Sequence, residues 1–348
     1  MKPSRRTRAA WRVAALLSTG LGLGGLYSAT ARSDAHASAA PTELGTEALC
    51  QRYSGLPARW PQEPTAGMVR IRGGEFTFGS DRGYPDERPA ASGRVRVDAF
   101  WIDETEVTVA QFASFVKATG YITDAERQGG AVVFHTPTEA EMQRRPYAWW
   151  TFVNGADWRH PGGPGSSNAG LDHLPITFVT QADALAYAHW LGRDLPSEVE
   201  WEYAGKAGQR GPELDTAPRD ASGRPTANYW QGIFPAFNAR EDGHDGLAPV
   251  GCYAANAYGL HDMIGNVWEW TRDAYSGPHQ AHLNGDTAAV AAAFQRPAAP
   301  DRPIVIKGGS FLCSPDFCVR YRASARESQE ADLATAHIGF RTVLRAPA

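Results

Sequence analysis

Two cysteines, Cys313 and Cys318, stand with four residues between them in "KGGSFLCSPDFCVRYR", residues 307–322, and they are half of the four cysteines in the chain. Thiols this close can form a small disulfide, hold a metal ion or work as a redox pair. Positions five apart do not share a helical face, which pairs residues three and four apart, and Pro315 discourages a helix here. The stretch therefore predicts a tight loop between "SFLC" and "CVRYRA" that brings two sulfurs together. An oxidising compartment favours a structural disulfide. Zinc wants four N or S ligands and closer cysteine spacing. Two thiolates alone suit a soft monovalent ion, Cu(I), and leave it open to a third ligand. Spacing does not choose among these readings.

Two further stretches are rich in oxygen donors and glycine turns: "ANYWQGIFPAFNAREDGHDG" (227–246) and "GLHDMIGNVWEWTRD" (259–273). Ca²⁺ takes about six to eight oxygens, many from backbone carbonyls, and neither stretch matches an EF-hand. The plain alternative is that Asp262 and Glu269 are turn and surface carboxylates.

The elements that must position these residues are short. The chain has 348 residues, 43% hydrophobic and 21% charged, with 36 glycines, 24 prolines and 11 tryptophans. So many Gly and Pro predict abundant turns, and the aromatics suggest a core or cleft built on rings. A net charge of -4 gives no basic face for nucleic acid. "MVRIRGGEFTFGS" and "RVRVDAFWIDETEVT" alternate like strands. Thr108 with Gln111, and Ser197 with Glu200, read as capping boxes opening helices, and Thr180 caps a third over "TQADALAYAHWLG". Beyond about residue 205 loops with short strands are expected. At the N-terminus, a basic "MKPSRRTRAAWR", a small-residue apolar stretch and Ala-x-Ala sites read as an export signal over 1–37, with an uncleaved anchor as the rival. Residues 38–66 read as a linker that wraps onto the domain, and 67–348 as one domain. Export would let Cys50 and Cys252 form a staple, leaving Cys313 and Cys318 as the local pair.

From Met68 onward the chain resembles the formylglycine-generating enzymes, the sulfatase-modifying factor family. The resemblance runs in order through "GGEFTFGS", "DAFWIDETEVTVAQFASFVKATGY", "GADWRHPGGP", "LPSEVEWEYA", "ANYWQGIFP", "YGLHDMIGNVWEW", "KGGSFLC", "RYRASARE" and "HIGFR", about four fifths of the chain. It implies an α+β, loop-rich variant of the C-type-lectin-like fold. It implies a copper-dependent oxidase that turns a cysteine of a Cys-x-Pro-x-Arg segment, in an unfolded sulfatase, into formylglycine with O₂ and a thiol or other reductant. Cys313 and Cys318 would hold Cu(I), Ser310 would order the pocket and Trp268 would line the cleft. One structural Ca²⁺ would take the Asn228 and Asp242 side chains with the backbone oxygens of Tyr229 and His244. Another would take Asp262 and Glu269 with those of Gly265 and Val267. The chain departs from the pattern at Ala188, Ala323 and Thr342, where some members carry structural cysteines, and at Gly130, where some carry an acid near the substrate path. The family also contains non-catalytic members, so a lectin-like binding or scaffold domain is the alternative. The implied location is periplasmic or extracellular, the substrate sharing that compartment.

Overall fold

A computed structural model describes residues 44–89, 94–210, 216–276 and 303–346, all within one compact unit. The export signal falls outside the described residues. Among the described residues no helix is long and apolar enough to cross a membrane.

The chain enters through a one-turn helix, α1 (Glu47–Cys50), tied to the body by a disulfide from Cys50 to Cys252, 202 residues away in sequence. The alternating stretches form β1 (Met68–Ile71), β2 (Gly74–Thr77), β3 (Arg94–Val97) and β4 (Phe100–Asp103). β2 and β3 pair with each other, and β1 pairs antiparallel with β4. Helix α2 (Val109–Thr119) opens on the expected Thr108–Gln111 capping box and ends at Gly120 in the left-handed region, where glycine carries no Cβ penalty. Two helices have no counterpart in the sequence reading: α3 (Asp124–Gln128) and α4 (Glu139–Arg144). Each carries its own capping box but is too short to show a periodic apolar face. The hairpin of β5 (Gly130–Phe134) and β6 (Trp150–Asn154) frames α4.

α5 (Gln181–Trp190) and α6 (Glu198–Lys206) follow, each with a capping box. They pack on β9 (Trp268–Ala274), which carries the four-stranded sheet. A small hairpin, β7 (Gly232–Ile233) and β8 (Phe237–Asn238), lies between them in sequence. β10 (Ile304–Lys307) and β11 (Arg326–Gln329) extend the sheet antiparallel on one side of β9, and β12 (Ile338–Gly339) runs parallel on the other. β13 (Val343–Arg345) returns to β4, closing the three-stranded sheet. Aromatics do fill the core: Phe112, Phe115, Tyr187, Trp268, Trp270 and Phe340 form one buried cluster that also contains Cys313.

Charge is buried at the junction of α6 with the sheet. Lys307 meets Glu202 at 2.9 Å, and Arg326 meets Glu198 at 2.7 Å. Such pairs fix register rather than add net stability, since desolvation offsets the attraction. Thr342, one of the positions without the relatives' cysteine, instead donates to Asp103 at 2.6 Å. Gly130 leaves no room for an acid: a Cβ there would lie 2.4 Å from the Val153 carbonyl oxygen and 2.8 Å from the Phe152 ring.

Candidate metal centre

β10 delivers the chain to the cysteines through Gly308 and Gly309, both at positive φ. A Cβ on Gly309 would meet the Arg320 carbonyl at 2.7 Å, and one on Gly308 the Trp201 ring at 3.0 Å. Only glycine lets the strand turn this sharply under the returning chain. Residues 311–317 then form the expected tight loop. The Cys313 N–H donates to the Ser310 carbonyl at 2.9 Å and the Cys318 N–H to that of Ser314 at 3.2 Å. The two sulfurs face each other 3.0 Å apart, well beyond the ~2.05 Å of a bond. Of the four cysteines, then, Cys50 and Cys252 are joined and the local pair is two free thiols.

The pair is unequal. Burial opposes ionisation of Cys313, but the hydrogen bond from Cys318, backbone hydrogen bonds from Ser310 and Arg320, and the Arg320 guanidinium outweigh it, so its thiol lies below the ordinary value. Cys318 is pushed well above it by donating that hydrogen bond and by its own burial. Sharing one hydrogen bond, the two thiols titrate as a pair. Arg320 is held in place by Asp86 at 3.0 Å and Glu327 at 3.3 Å, and it lies over the Tyr84 ring.

Ser310 is buried, and its Oγ accepts from the Leu312 N–H at 3.3 Å, inside the turn that sets Cys313. Trp268 is buried in the same cluster as Cys313, and its N–H donates to the His337 carbonyl at 2.9 Å. His337 was not foreseen. Its ring packs on Trp150 at 4.7 Å, Nδ1 pairs with Thr335 Oγ1 at 3.0 Å, and desolvation pushes its pKa down to about 3, so it is neutral. An aromatic wall completes this side. Phe317 stacks on Phe234 at 4.5 Å, Trp149 meets both edge-on, and Trp230 donates its N–H to the Cys313 carbonyl at 2.9 Å. Asp316 latches the wall by accepting from the Phe234 N–H at 3.2 Å.

The donor set fits a soft monovalent ion. Among the described residues, the one cluster of three possible ligands is Glu47, Cys50 and Cys252, whose sulfurs are consumed by the disulfide. Cys313 and Cys318 therefore have no third or fourth protein ligand of the kind zinc requires, whereas two thiolates suffice for Cu(I).

In the first oxygen-rich stretch Asp242, Tyr229 and His244 lie together, while Asn228 turns its side chain elsewhere. Asp242 Oδ2 and the Tyr229 carbonyl oxygen converge on one point, bridged by the Gln231 side-chain N–H₂. Asp242 Oδ1 accepts from the His244 N–H at 3.0 Å. Burial pushes the Asp242 carboxyl up. Asn228 donates to the Gly246 carbonyl at 2.8 Å and to Asn266 at 3.0 Å, linking this stretch to the second.

In the second stretch Glu269 is no surface carboxylate. It is buried and takes both Arg341 nitrogens at 2.7 Å and the Trp201 N–H at 2.6 Å. Asp262 is buried and accepts from the Gly251 N–H at 2.5 Å. Gly265 and Val267 flank Asn266, whose N–H₂ donates to Glu106 Oε1 at 3.1 Å. Glu106 Oε2 is buried with no hydrogen-bond partner. Three carboxylates, Glu106, Asp262 and Glu269, thus face one guanidinium, and burial pushes Glu106 and Asp262 up. A hard divalent cation fits this excess of buried oxygen charge. Glu106 was invisible in the sequence because it lies some 160 residues from its partners and two before a helix cap.

The chain matches the sulfatase-modifying factor enzyme 1-like domain over residues 53–346. It is 43% identical over 306 residues to the formylglycine-generating enzyme of Thermomonospora curvata, covering 82% of this chain and 96% of that protein. The enzyme of that name from Mycobacterium tuberculosis is 42% identical, over 79% and 97% of the two chains. A mouse protein named inactive C-alpha-formylglycine-generating enzyme 2 is 36% identical, over 80% and 85%. The fold superposes on PvdO from Pseudomonas aeruginosa with a TM-score of 0.56 at 24% identity, covering 80% of this chain and 94% of that one, which places it in the loop-rich, C-type-lectin-like class. With most of its length matched, with the order of elements kept and with its cysteine pair free and face to face, the chain belongs to the sulfatase-modifying factor family, that of the formylglycine-generating enzymes.

Proposed function

We propose that this protein is a copper-dependent oxidase that converts a cysteine of a Cys-x-Pro-x-Arg segment, in an unfolded and exported sulfatase, to formylglycine. The relatives named for generating formylglycine support the modification of a sulfatase cysteine in general. The observation that carries the finer reading is the pair of free sulfurs 3.0 Å apart. A relative named inactive at 36% identity means that membership alone does not decide catalysis; the free sulfur pair is what supports the catalytic reading here.

A cuprous ion held there would supply a soft site for the substrate thiolate and for O₂. Cys313 and Cys318 would be its protein ligands. The Arg320 guanidinium and the Ser310 and Arg320 backbone groups favour the anionic sulfur such a site needs. Trp268 and the Phe234–Phe317 wall exclude water from one side, which strengthens charge interactions inside. His337, neutral and anchored at Nδ1 by Thr335, offers its other nitrogen as a hydrogen-bond partner for an extended peptide. The chemistry balances: the substrate carbon loses its sulfur as sulfide and gains one atom of O₂. The second oxygen atom leaves as water, with two electrons and two protons from a thiol reductant. Structural Ca²⁺ would be held by Asn228, Asp242, Tyr229 and His244, and by Asp262, Gly265, Val267 and Glu269 with Glu106 added. The site of action is periplasmic or extracellular, where an exported sulfatase is met before it folds.

The test is a synthetic peptide with a Cys-x-Pro-x-Arg core, incubated with the full chain, Cu(I), O₂ and a thiol. The target cysteine becomes lighter by about eighteen mass units, and Cys313→Ala or Cys318→Ala abolishes the change. An unmodified peptide in the presence of copper-loaded protein contradicts the proposal.

A further inference from the structure

The β7–β8 hairpin carries a feature the chemistry above does not use. Ile233 and Phe237 are cross-strand partners, so their side chains share a face. They are 65% and 61% exposed, among the most exposed large apolar residues described. Their neighbours do the opposite. Phe234 turns inward onto Phe317, and Asp316 holds its N–H. Beside Phe237 lies a depression of about 410 Å³, lined by Thr136, Trp230, Ala236, Phe237, Asn238 and Ala239 and rimmed by an exposed ion pair of Arg240 with Asp245 at 2.8 Å. Trp230 is the shared wall: its indole N–H donates to the Phe237 carbonyl at 3.0 Å, and its backbone N–H to that of Cys313 at 2.9 Å. The apolar knuckle is therefore continuous with the cysteine loop.

Exposed apolar side chains next to a concave surface contribute nothing to the fold and mark a surface that binds. A hairpin tip is small beside the roughly 800 Å² per partner that a stable dimer buries, which argues against a second copy of this chain. An unfolded polypeptide is the occupant that fits. It presents apolar side chains that its own folding has not yet buried, and its cysteine must reach the loop that Trp230 and Phe234 join to the hairpin.

We infer that Ile233, Phe237 and the depression beside them form an auxiliary docking surface for apolar side chains that flank the target cysteine, outside the Cys-x-Pro-x-Arg core. The inference rests on the reading that the substrate is an unfolded polypeptide. Two labelled peptides test it by direct binding to copper-free full-length protein. Both carry the same core with the cysteine replaced by serine; one has Leu and Phe in its flanks, the other Ser and Gly. The wild type binds the apolar-flanked peptide about 5- to 30-fold tighter. An Ile233→Ser, Phe237→Ser double variant, with Ile233→Ser alone as the milder check and an unchanged far-UV spectrum as the control for folding, loses that preference while binding the polar-flanked peptide as before. A preference that survives both substitutions, or that the wild type never shows, overturns the inference. So does a wild-type dimer that the substitutions dissociate in sedimentation, since the occupant is then a second copy. Because binding is read without copper or O₂, failure of the oxidase reading shows separately: a cysteine-containing version of the apolar-flanked peptide, bound equally tightly, stays unmodified with Cu(I), O₂ and a thiol.

Discussion

Cys313 and Cys318 have one sequence spacing and two different environments. One sulfur is buried against backbone donors and Arg320, and the other donates its S–H to the first and holds that proton more tightly. Thiolate absorbance of the metal-free protein rises in two steps, the first below the ordinary thiol value and the second well above it. Cys318→Ala removes the donor and moves the Cys313 step upward; an unmoved step contradicts the pairing. The cysteine loop was readable from residue types, because proline and the five-residue offset rule out a helix. His337 and Glu106 were not. A lone histidine and a lone acid carry no local pattern, and only tertiary packing puts one beside Trp150 and the other beside Asp262. Asp273 is another such case. Burial raises its carboxyl to about 7, against the Glu198 N–H that it accepts at 2.5 Å. A raised carboxyl stabilises below its ordinary value and loses that contribution as pH rises through about 7. Asp273→Asn keeps the acceptor without the charge. Thermal melts should show it stabilising at pH 8, by up to about 3 kcal/mol, and near neutral at pH 4.

Helices were the most legible elements wherever a capping box preceded a run long enough to show an apolar face, as at Thr108, Thr180 and Ser197. Thr108 is buried, and its hydroxyl both accepts from Gln111 and donates to the Gly55 carbonyl at 2.5 Å. Thr108→Ala therefore costs about 1–2 kcal/mol in denaturant melts, whereas the exposed cap of α4, Thr138→Ala, costs about 0.5 kcal/mol or less. Equal losses at the two caps contradict this account. The sheet was less legible. Beyond about residue 205 only short strands were expected, and nothing local announces that β12 joins β9 parallel or that β13 returns to β4. Those pairings are set by buried ion pairs such as Arg341 with Glu269, formed between residues 72 apart. Glu269→Gln removes the carboxylate that holds two Arg341 nitrogens, and with Glu106 and Asp262 still facing the guanidinium calorimetry should show a loss of up to about 3 kcal/mol.

At the scale of the whole molecule, two devices hold a loop-rich chain: a long-range disulfide and buried oxygen clusters. The Cys50–Cys252 bond closes a loop of about 200 residues, and replacing both cysteines with serine costs about 2–5 kcal/mol without touching the free pair. A chelator is the test of the oxygen clusters. With three carboxylates facing Arg341 and with Asp242 also raised by burial, Ca²⁺ raises the melting temperature at pH 8. Its removal lowers it, and the effect shrinks as the carboxylates gain protons toward pH 5. A melting temperature indifferent to calcium at pH 8 contradicts the assignment. The overall class was legible from glycine, proline and motif order; the N-terminal staple was only one of three possible pairings until the structure joined it.

The most direct measurement of the central claim is an anaerobic titration of the reduced full-length protein with Cu(I), followed in the ultraviolet by sulfur-to-copper absorption. One equivalent binds, and Cys313→Ser or Cys318→Ser each removes the signal while the Cys50–Cys252 bond stays intact. A protein that binds no cuprous ion, or whose two local thiols are already lost to a disulfide under mild reductant, contradicts it.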